Sequence, residues 1–224
     1  MELLNKTIDL FYQNADANNA NAMSKYMRNL FDFLGISKPL RATLQKTLVR
    51  ELTKEKQPNW EIINLLWNKS EREFQYLAID ILNGGKYTFA ESDLRKIRFL
   101  ITSKSWWDTV DLIAGNCLGK IITQHPKILQ NELKQWITDE NLWIRRSSII
   151  CQLKFKERTD KEFLTEAILK NADSDEFFIN KAIGWALREY SKTNPAWVKD
   201  FLSKHKLSPL SVKEGNKYIE KMGL

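Results

Sequence analysis

The chain has 224 residues, enough for one large domain or two small ones with a substantial core. Hydrophobic residues make up 43% and charged residues 28%, the balance of a soluble globular protein, and no stretch approaches the roughly 18 apolar residues that a bilayer span needs. Thirty-five Lys and Arg against 28 Asp and Glu leave a net charge of +7, which favours a polyanionic partner such as nucleic acid, an acidic protein or a membrane surface.

Along the chain, apolar residues recur at three- and four-residue spacing nearly everywhere, and β-strand alternation is absent, which predicts a nearly all-α protein. The N-terminus, MELLNKTIDLF, lacks the long apolar core of a signal peptide, so the protein is expected in the cytoplasm. Pro39, Pro58 and Pro126 stand where helices should begin. Ser70-x-x-Glu73, Ser105-x-x-Asp108 and Thr159-x-x-Glu162 read as capping boxes or close relatives, and Asn194-Pro195 places a capping Asn before a Pro at the first helical position. Cys117 and Cys151 fall inside apolar helical patterns and read as small buried hydrophobes in a reducing compartment. With only the well-separated His125 and His205 beside them, they do not make a zinc site, and no metal or cofactor is expected. Both histidines read as surface residues, and the basic C-terminal run KHKLSPLSVKEGNKYIEK reads as a solvated face.

Four segments repeat: FQYLAIDIL from Phe74, WDTVDLIAG from Trp107, WIRRSSIIC from Trp143 and FINKAIGWA from Phe178, at spacings of 33, 36 and 35 residues. A period in this range with two helices per unit signals an α-solenoid, expected as a single curved domain over 1–224 with one concave face. In this alignment the fifth column holds Ala78, Asp111, Ser147 and Ala182, the eighth Ile81, Ala114, Ile150 and Trp185, and the fourth Leu77, Val110, Arg146 and Lys181. Polar groups at positions apolar elsewhere mark a site, or else Asp111 and Arg146 form only an ion pair between repeats.

Trp107 and Asp111 are four apart and share a helix face one turn apart. Asp108 suits a cap by its spacing from Ser105, which leaves Asp111 for the site. The consecutive Trp106 and Trp107 point about 100° apart, so one belongs to the core and the other can line a cleft; the aromatic column puts Trp107 in the core. Trp185 replaces an aliphatic residue or Ala and follows Gly184, and a glycine in mid-helix costs roughly 1 kcal/mol against Ala, which suggests close approach of another backbone or a ligand. There is no GxxxxGK[ST] loop, no GxGxxG after a strand, no HExxH and no GxSxG.

The stretches YMRNLFDFLGI (26–36), SWWDTVDLIAG (105–115), LWIRRSSIICQLKFKERTD (142–160) and EFFINKAIGWALREYSKTNP (176–195) resemble the AlkD-like DNA alkylation repair glycosylases, a HEAT-like repeat family, over nearly the whole chain. The resemblance implies an α-solenoid of HEAT-like repeats whose basic concave face forms a channel for duplex DNA, a monomer, and activity without a metal. It carries the family's site residues onto Trp107, Asp111, Arg146 and Trp185, all present here, and likens the N-terminal motif with Tyr26 and Arg28 to a DNA-contacting hairpin.

Chemistry then assigns roles. A purine alkylated at N3 or N7 is already cationic and leaves as a neutral base, so no general acid is required. One carboxylate, Asp111, would stabilise the oxocarbenium-like sugar and orient the water. Trp107 and Trp185 would flank that sugar. Arg146 would hold a backbone phosphate, with Arg188, Lys181 and Lys154 as further phosphate contacts. The resemblance also implies work on the sugar and backbone without enclosing the base, and no Lys is placed as a Schiff-base nucleophile, so no lyase activity is expected. The alternatives are a non-catalytic helical scaffold binding nucleic acid or an acidic protein, and a glycosylase-like protein that senses distorted or branched DNA.

Overall fold

The computed structural model describes residues 1–223, and it is all-α; among those residues the only β pairing is an isolated bridge between Asp32 and Glu71. The chain divides into two compact units, Met1–Phe89 and Ala90–Leu224.

The first unit holds α1 (Glu2–Gln13), α2 (Ala17–Tyr26), α3 (Lys38–Leu52), α4 (Trp60–Asn68) and α5 (Arg72–Gly84). α1 buries Leu4, Thr7, Ile8 and Phe11, the stripe that helical periodicity prescribes, and stacks Phe11 on Phe74 of α5 at 5.5 Å. Asp16 caps α2 by accepting from the amides of Asn18 and Asn19, and Asn59 caps α4 by accepting from Ile62. Glu73 does not close a capping box with Ser70. Its carboxylate is buried and accepts from three loop amides, those of Leu34, Gly35 and Ile36, at 3.0, 2.9 and 3.1 Å. Gly35 makes that loop possible: its φ is +86°, and a Cβ there would lie 2.1 Å from the Asp16 carbonyl oxygen.

The second unit begins with α6 (Asp93–Thr102). Next comes α7 (Trp107–Leu112), which runs through a π-helical turn, Ile113–Leu118, into α8 (Gly119–Gln124). A second π turn, Leu129–Leu133, leads into α9 (Lys134–Trp136), followed by α10 (Leu142–Ile150), α11 (Lys161–Leu169), α12 (Phe177–Ser191), α13 (Pro195–Lys204) and α14 (Pro209–Lys221). Asn194 caps α13 as its sequence predicts, accepting from the Trp197 amide at 3.0 Å. The other two predicted boxes differ. Ser105 donates to the Ile101 carbonyl, and α11 is capped by Asp160 rather than Thr159. Cys117 and Cys151 are fully buried, and burial pushes both thiols up to about 12. His125 and His205 are half-buried and keep part of their surface in solvent, and His205 lies 4.5 Å from the Phe201 ring.

The repeat register shifts by one residue in the α7 segment. Trp106, not Trp107, joins Trp143 and Phe178 in an aromatic cluster, with ring centroids 5.6 and 5.0 Å away. Starting that segment at Trp106 makes the fifth column Ala78, Val110, Ser147 and Ala182, every one fully buried. The eighth column becomes Ile81, Ile113 and Ile150, also fully buried, with Trp185 half-buried at its end. Asp111 therefore falls one place beyond the core column, where it keeps a face to solvent.

Candidate active site

The α7, α10, α12 and α14 helices of the second unit carry the candidate site. α10 packs against α7 and α12, and α14 packs closely along α12. Arg146 on α10 grips Asp111 on α7 with both arms of its fork: Nε donates to Oδ1 at 2.8 Å and Nη2 donates to Oδ2 at 2.9 Å. Its Nη1 donates to the Phe178 carbonyl oxygen on α12. The side chain of Arg146 is 5% exposed and that of Asp111 is 16% exposed, so the guanidinium is enclosed while the carboxylate keeps an opening. This is the ion pair between repeats that the sequence left open.

The pair sets the electrostatics of the carboxylate. Burial raises the Asp111 pKa above the ordinary carboxylate value, and the nearby Asp108 charge adds to that. The Arg146 hydrogen bonds and charge oppose the rise without cancelling it. Trp107, half-buried, stands one turn before Asp111 on the same helix face. Asp108 is buried in the first turn of α7, whose N-cap residue is Trp106. The π turn begins two residues after Asp111, a distortion that is frequent at functional sites.

α12 presents Lys181, Trp185 and Arg188 at i, i+4 and i+7, all half-buried on one face. Gly184 beside Trp185 is there for close packing. A Cβ at this position would lie 2.4 Å from the Glu214 Cβ and 3.0 Å from the Ser211 carbonyl oxygen, so the backbone that approaches is α14. Ser211 fixes that contact further, its hydroxyl donating to the Asn180 carbonyl at 2.9 Å. Lys181 and Arg188 both donate to Glu214, at 2.8 and 3.0 Å, and Lys217 joins them at 2.7 Å.

The remaining predicted residues lie elsewhere. Lys154 is exposed and donates to the Asn116 side chain in the π turn, not to the Asp111–Arg146 pair. Tyr26 and Arg28 belong to the first unit. Tyr26 is 72% exposed at the end of α2 and edges a cavity of about 260 Å³ lined also by Met23, Met27, Phe33 and Tyr76. Arg28 and Asn29 follow in the left-handed region, with φ of 59° and 56°. Sequence reasoning missed Glu214 and Lys217, which it had placed on a solvated basic tail. It also missed the Phe178 carbonyl, because a backbone acceptor leaves no mark on residue identity.

Among the described residues no group of three or more His, Cys, Asp or Glu could hold a metal ion, and no helix is long and apolar enough to cross a membrane. The model of a family described as DNA alkylation repair enzyme matches residues 7–219. A solved structure described as a predicted DNA alkylation repair enzyme from Enterococcus faecalis is 37% identical, covers 92% of this chain and 97% of its own, and superposes with a TM-score of 0.85. No curated protein matches. With that match spanning both units and the residue pattern of the second, the chain belongs to the DNA alkylation repair enzyme family.

Proposed function

We propose that this protein is a monofunctional DNA glycosylase that hydrolyses the N-glycosidic bond of cationic alkylpurines, of the 3-methyladenine and 7-methylguanine type, in duplex DNA. The observation that carries this reading is the Asp111 carboxylate, gripped by an enclosed Arg146 yet open on one side, one turn from Trp107. As the bond to the cationic purine breaks, the bonding electrons leave with the base, which departs neutral. Positive charge grows on the sugar, and Asp111 is the group to meet it. Water then adds at the anomeric carbon and gives up a proton, yielding an abasic site and the free base. Because the leaving group needs no proton, no general acid is needed, and the reaction can proceed on the sugar without flipping the base into a pocket.

In this reading Arg146 is a positioning residue. It holds both carboxylate oxygens and ties them, through the Phe178 carbonyl, to the helix that bears Trp185. Lys181 and Arg188 supply backbone contacts, Lys154 a further one, and Tyr26 with Arg28 contacts from the first unit. In this reading the protein acts as a cytoplasmic monomer whose HEAT-like repeats bind DNA, and the family match over residues 7–219 supports the repair role.

A second reading has the Asp111–Arg146 pair as no more than a link between helices in a DNA-binding scaffold, and the burial of Arg146 favours it. One experiment separates the two. Release of 7-methylguanine and 3-methyladenine from methylated duplex DNA is measured for wild type and Asp111→Asn, with and without EDTA. The glycosylase reading expects release by wild type that EDTA leaves unchanged, and at least a tenfold loss in the variant, about 1.4 kcal/mol of barrier. Binding without release by wild type would leave the scaffold.

A further inference from the structure

Glu214 stands apart from the other carboxylates of the second unit because several cations converge on it. Its Oε1 accepts from Lys181 at 2.8 Å and from Lys217 at 2.7 Å, and its Oε2 accepts from Arg188 at 3.0 Å. The carboxylate lies underneath: its side chain is 8% exposed, whereas those of Lys181, Arg188 and Lys217 are 38%, 33% and 45% exposed. Three positive charges on one negative leave a cluster of net +2 open to solvent. Each cation has donors beyond the one it spends on Glu214, since an ammonium carries three N–H and a guanidinium five. The cluster lies on the face of α12 that carries Trp185 between Lys181 and Arg188.

We propose that Glu214 is a positioning residue that holds Lys181, Arg188 and Lys217 as a clamp for a backbone phosphate of DNA on the Trp185 face of α12. The clamp rests on the DNA reading above and adds to it two residues, Glu214 and Lys217, and a way of ordering the cations. Long cationic side chains lose rotamer freedom when they bind a phosphate; a shared buried carboxylate orders them beforehand. The Glu214 Cβ also packs against Gly184, which fixes where the side chain leaves α14 beneath the cations. It acts as a fixed floor to the clamp, not as a competitor that a phosphate would displace.

The test turns on sign. Glu214→Gln removes one negative charge and raises the net charge from +7 to +8, so simple electrostatics expects tighter DNA binding. The clamp expects weaker binding. Binding of a duplex with a tetrahydrofuran abasic analogue is measured by fluorescence anisotropy across a KCl series, with thermal melts confirming the fold. The expected result is a loss of about fivefold or more, with a salt slope shallower by about 0.9 for the phosphate no longer held. The same substitution added to Lys181→Gln/Arg188→Gln is expected to change affinity less than about twofold. Unchanged or tighter binding by Glu214→Gln, with wild type binding normally, overturns the clamp alone; failure of wild type to bind DNA overturns the DNA reading and the clamp with it. If Glu214→Gln does not fold, Glu214→Asp decides. It keeps the charge but withdraws the carboxylate by one methylene, so weaker binding supports the clamp and unchanged binding overturns it.

Discussion

The α7–α10 contact and the α12–α14 contact each hold a sheltered carboxylate against an arginine, and they treat it in opposite ways. Asp111 meets one cation, and burial outweighs it, so its pKa is raised. Glu214 meets Lys181, Lys217 and Arg188, and the Lys181 and Lys217 hydrogen bonds hold it down to about 2. The first carboxylate is a charge kept at some cost and left partly open, which suits a group that must meet positive charge developing on a substrate. The second is a settled counter-ion whose charge is spent on its neighbours. The two differ in both influences: desolvation leads for Asp111, whereas for Glu214 the Lys181 and Lys217 hydrogen bonds lead and desolvation comes after them.

That contrast can be broken at four places. Removing Arg146 should have the largest effect. Arg146→Gln leaves a sheltered carboxylate without its partner, a change that costs about 3 kcal/mol in comparable buried pairs. It also removes both influences that lower the Asp111 pKa. If Asp111 must be ionised for base release, the acid limb of the pH–rate profile lies above the ordinary carboxylate range in wild type. It should move to still higher pH in the variant, as measured by single-turnover release of 7-methylguanine. An acid limb that stays where it is would separate Arg146 from the chemistry.

Asp111→Asn comes next, with a loss of tenfold or more in base release but little loss in affinity for the abasic-analogue duplex. Loss of affinity in step with activity would point to a structural role. Gly184→Ala is third. Helix propensity alone would favour Ala by roughly 1 kcal/mol. The added Cβ, however, meets the Glu214 Cβ at 2.4 Å and the Ser211 carbonyl at 3.0 Å, and overpacking of this kind costs about 1–3 kcal/mol. The balance should be a lower melting temperature by calorimetry; a higher one would mean that α12 and α14 part easily.

How far the sequence reveals these contacts depends on how local they are. The Asn194 cap and the Gly184 approach are legible because a single residue type at one position carries the signal. The helices are legible because burial repeats every three to four residues. Glu73 defeats the local rule: its spacing from Ser70 suits a capping box, yet its partners are loop amides at positions 34–36. The α7 register fails for a different reason. Two adjacent tryptophans both fit an aromatic column, and the Trp106 contacts with Trp143 and Phe178, with Val110 and Ile113 buried, select Trp106. That selection was available in the sequence, since Trp106 as anchor puts apolar residues in both columns, where Trp107 puts Asp111 in one. Asp111 and Arg146 stood out by residue type, and their neighbouring columns in successive units already raised the pairing that the structure shows. Glu214 left the weakest trace, an acid in a basic tail whose Lys181 and Arg188 partners lie on another helix.

The smallest expected effect concerns the stability contributed by Glu214, and it follows from the lowered pKa. A carboxyl held near 2 in the folded protein, against 4.5 when unconstrained, binds its proton less tightly folded than unfolded. Its contribution is therefore complete above about pH 4.5 and is lost as pH falls from there through about 2. Glu214→Gln has no such proton to bind. The difference in melting temperature between wild type and variant should be level near neutral pH and should shrink as pH falls through that window. The effect is modest because the cations that lower the pKa are partly in water, where screening weakens each pair. Asp111→Asn should show the opposite pH trend: a raised pKa means that wild type gains stability relative to the variant as Asp111 takes up its proton on acidification. Parallel pH trends in the two variants would mean that the two carboxylates are not treated differently after all.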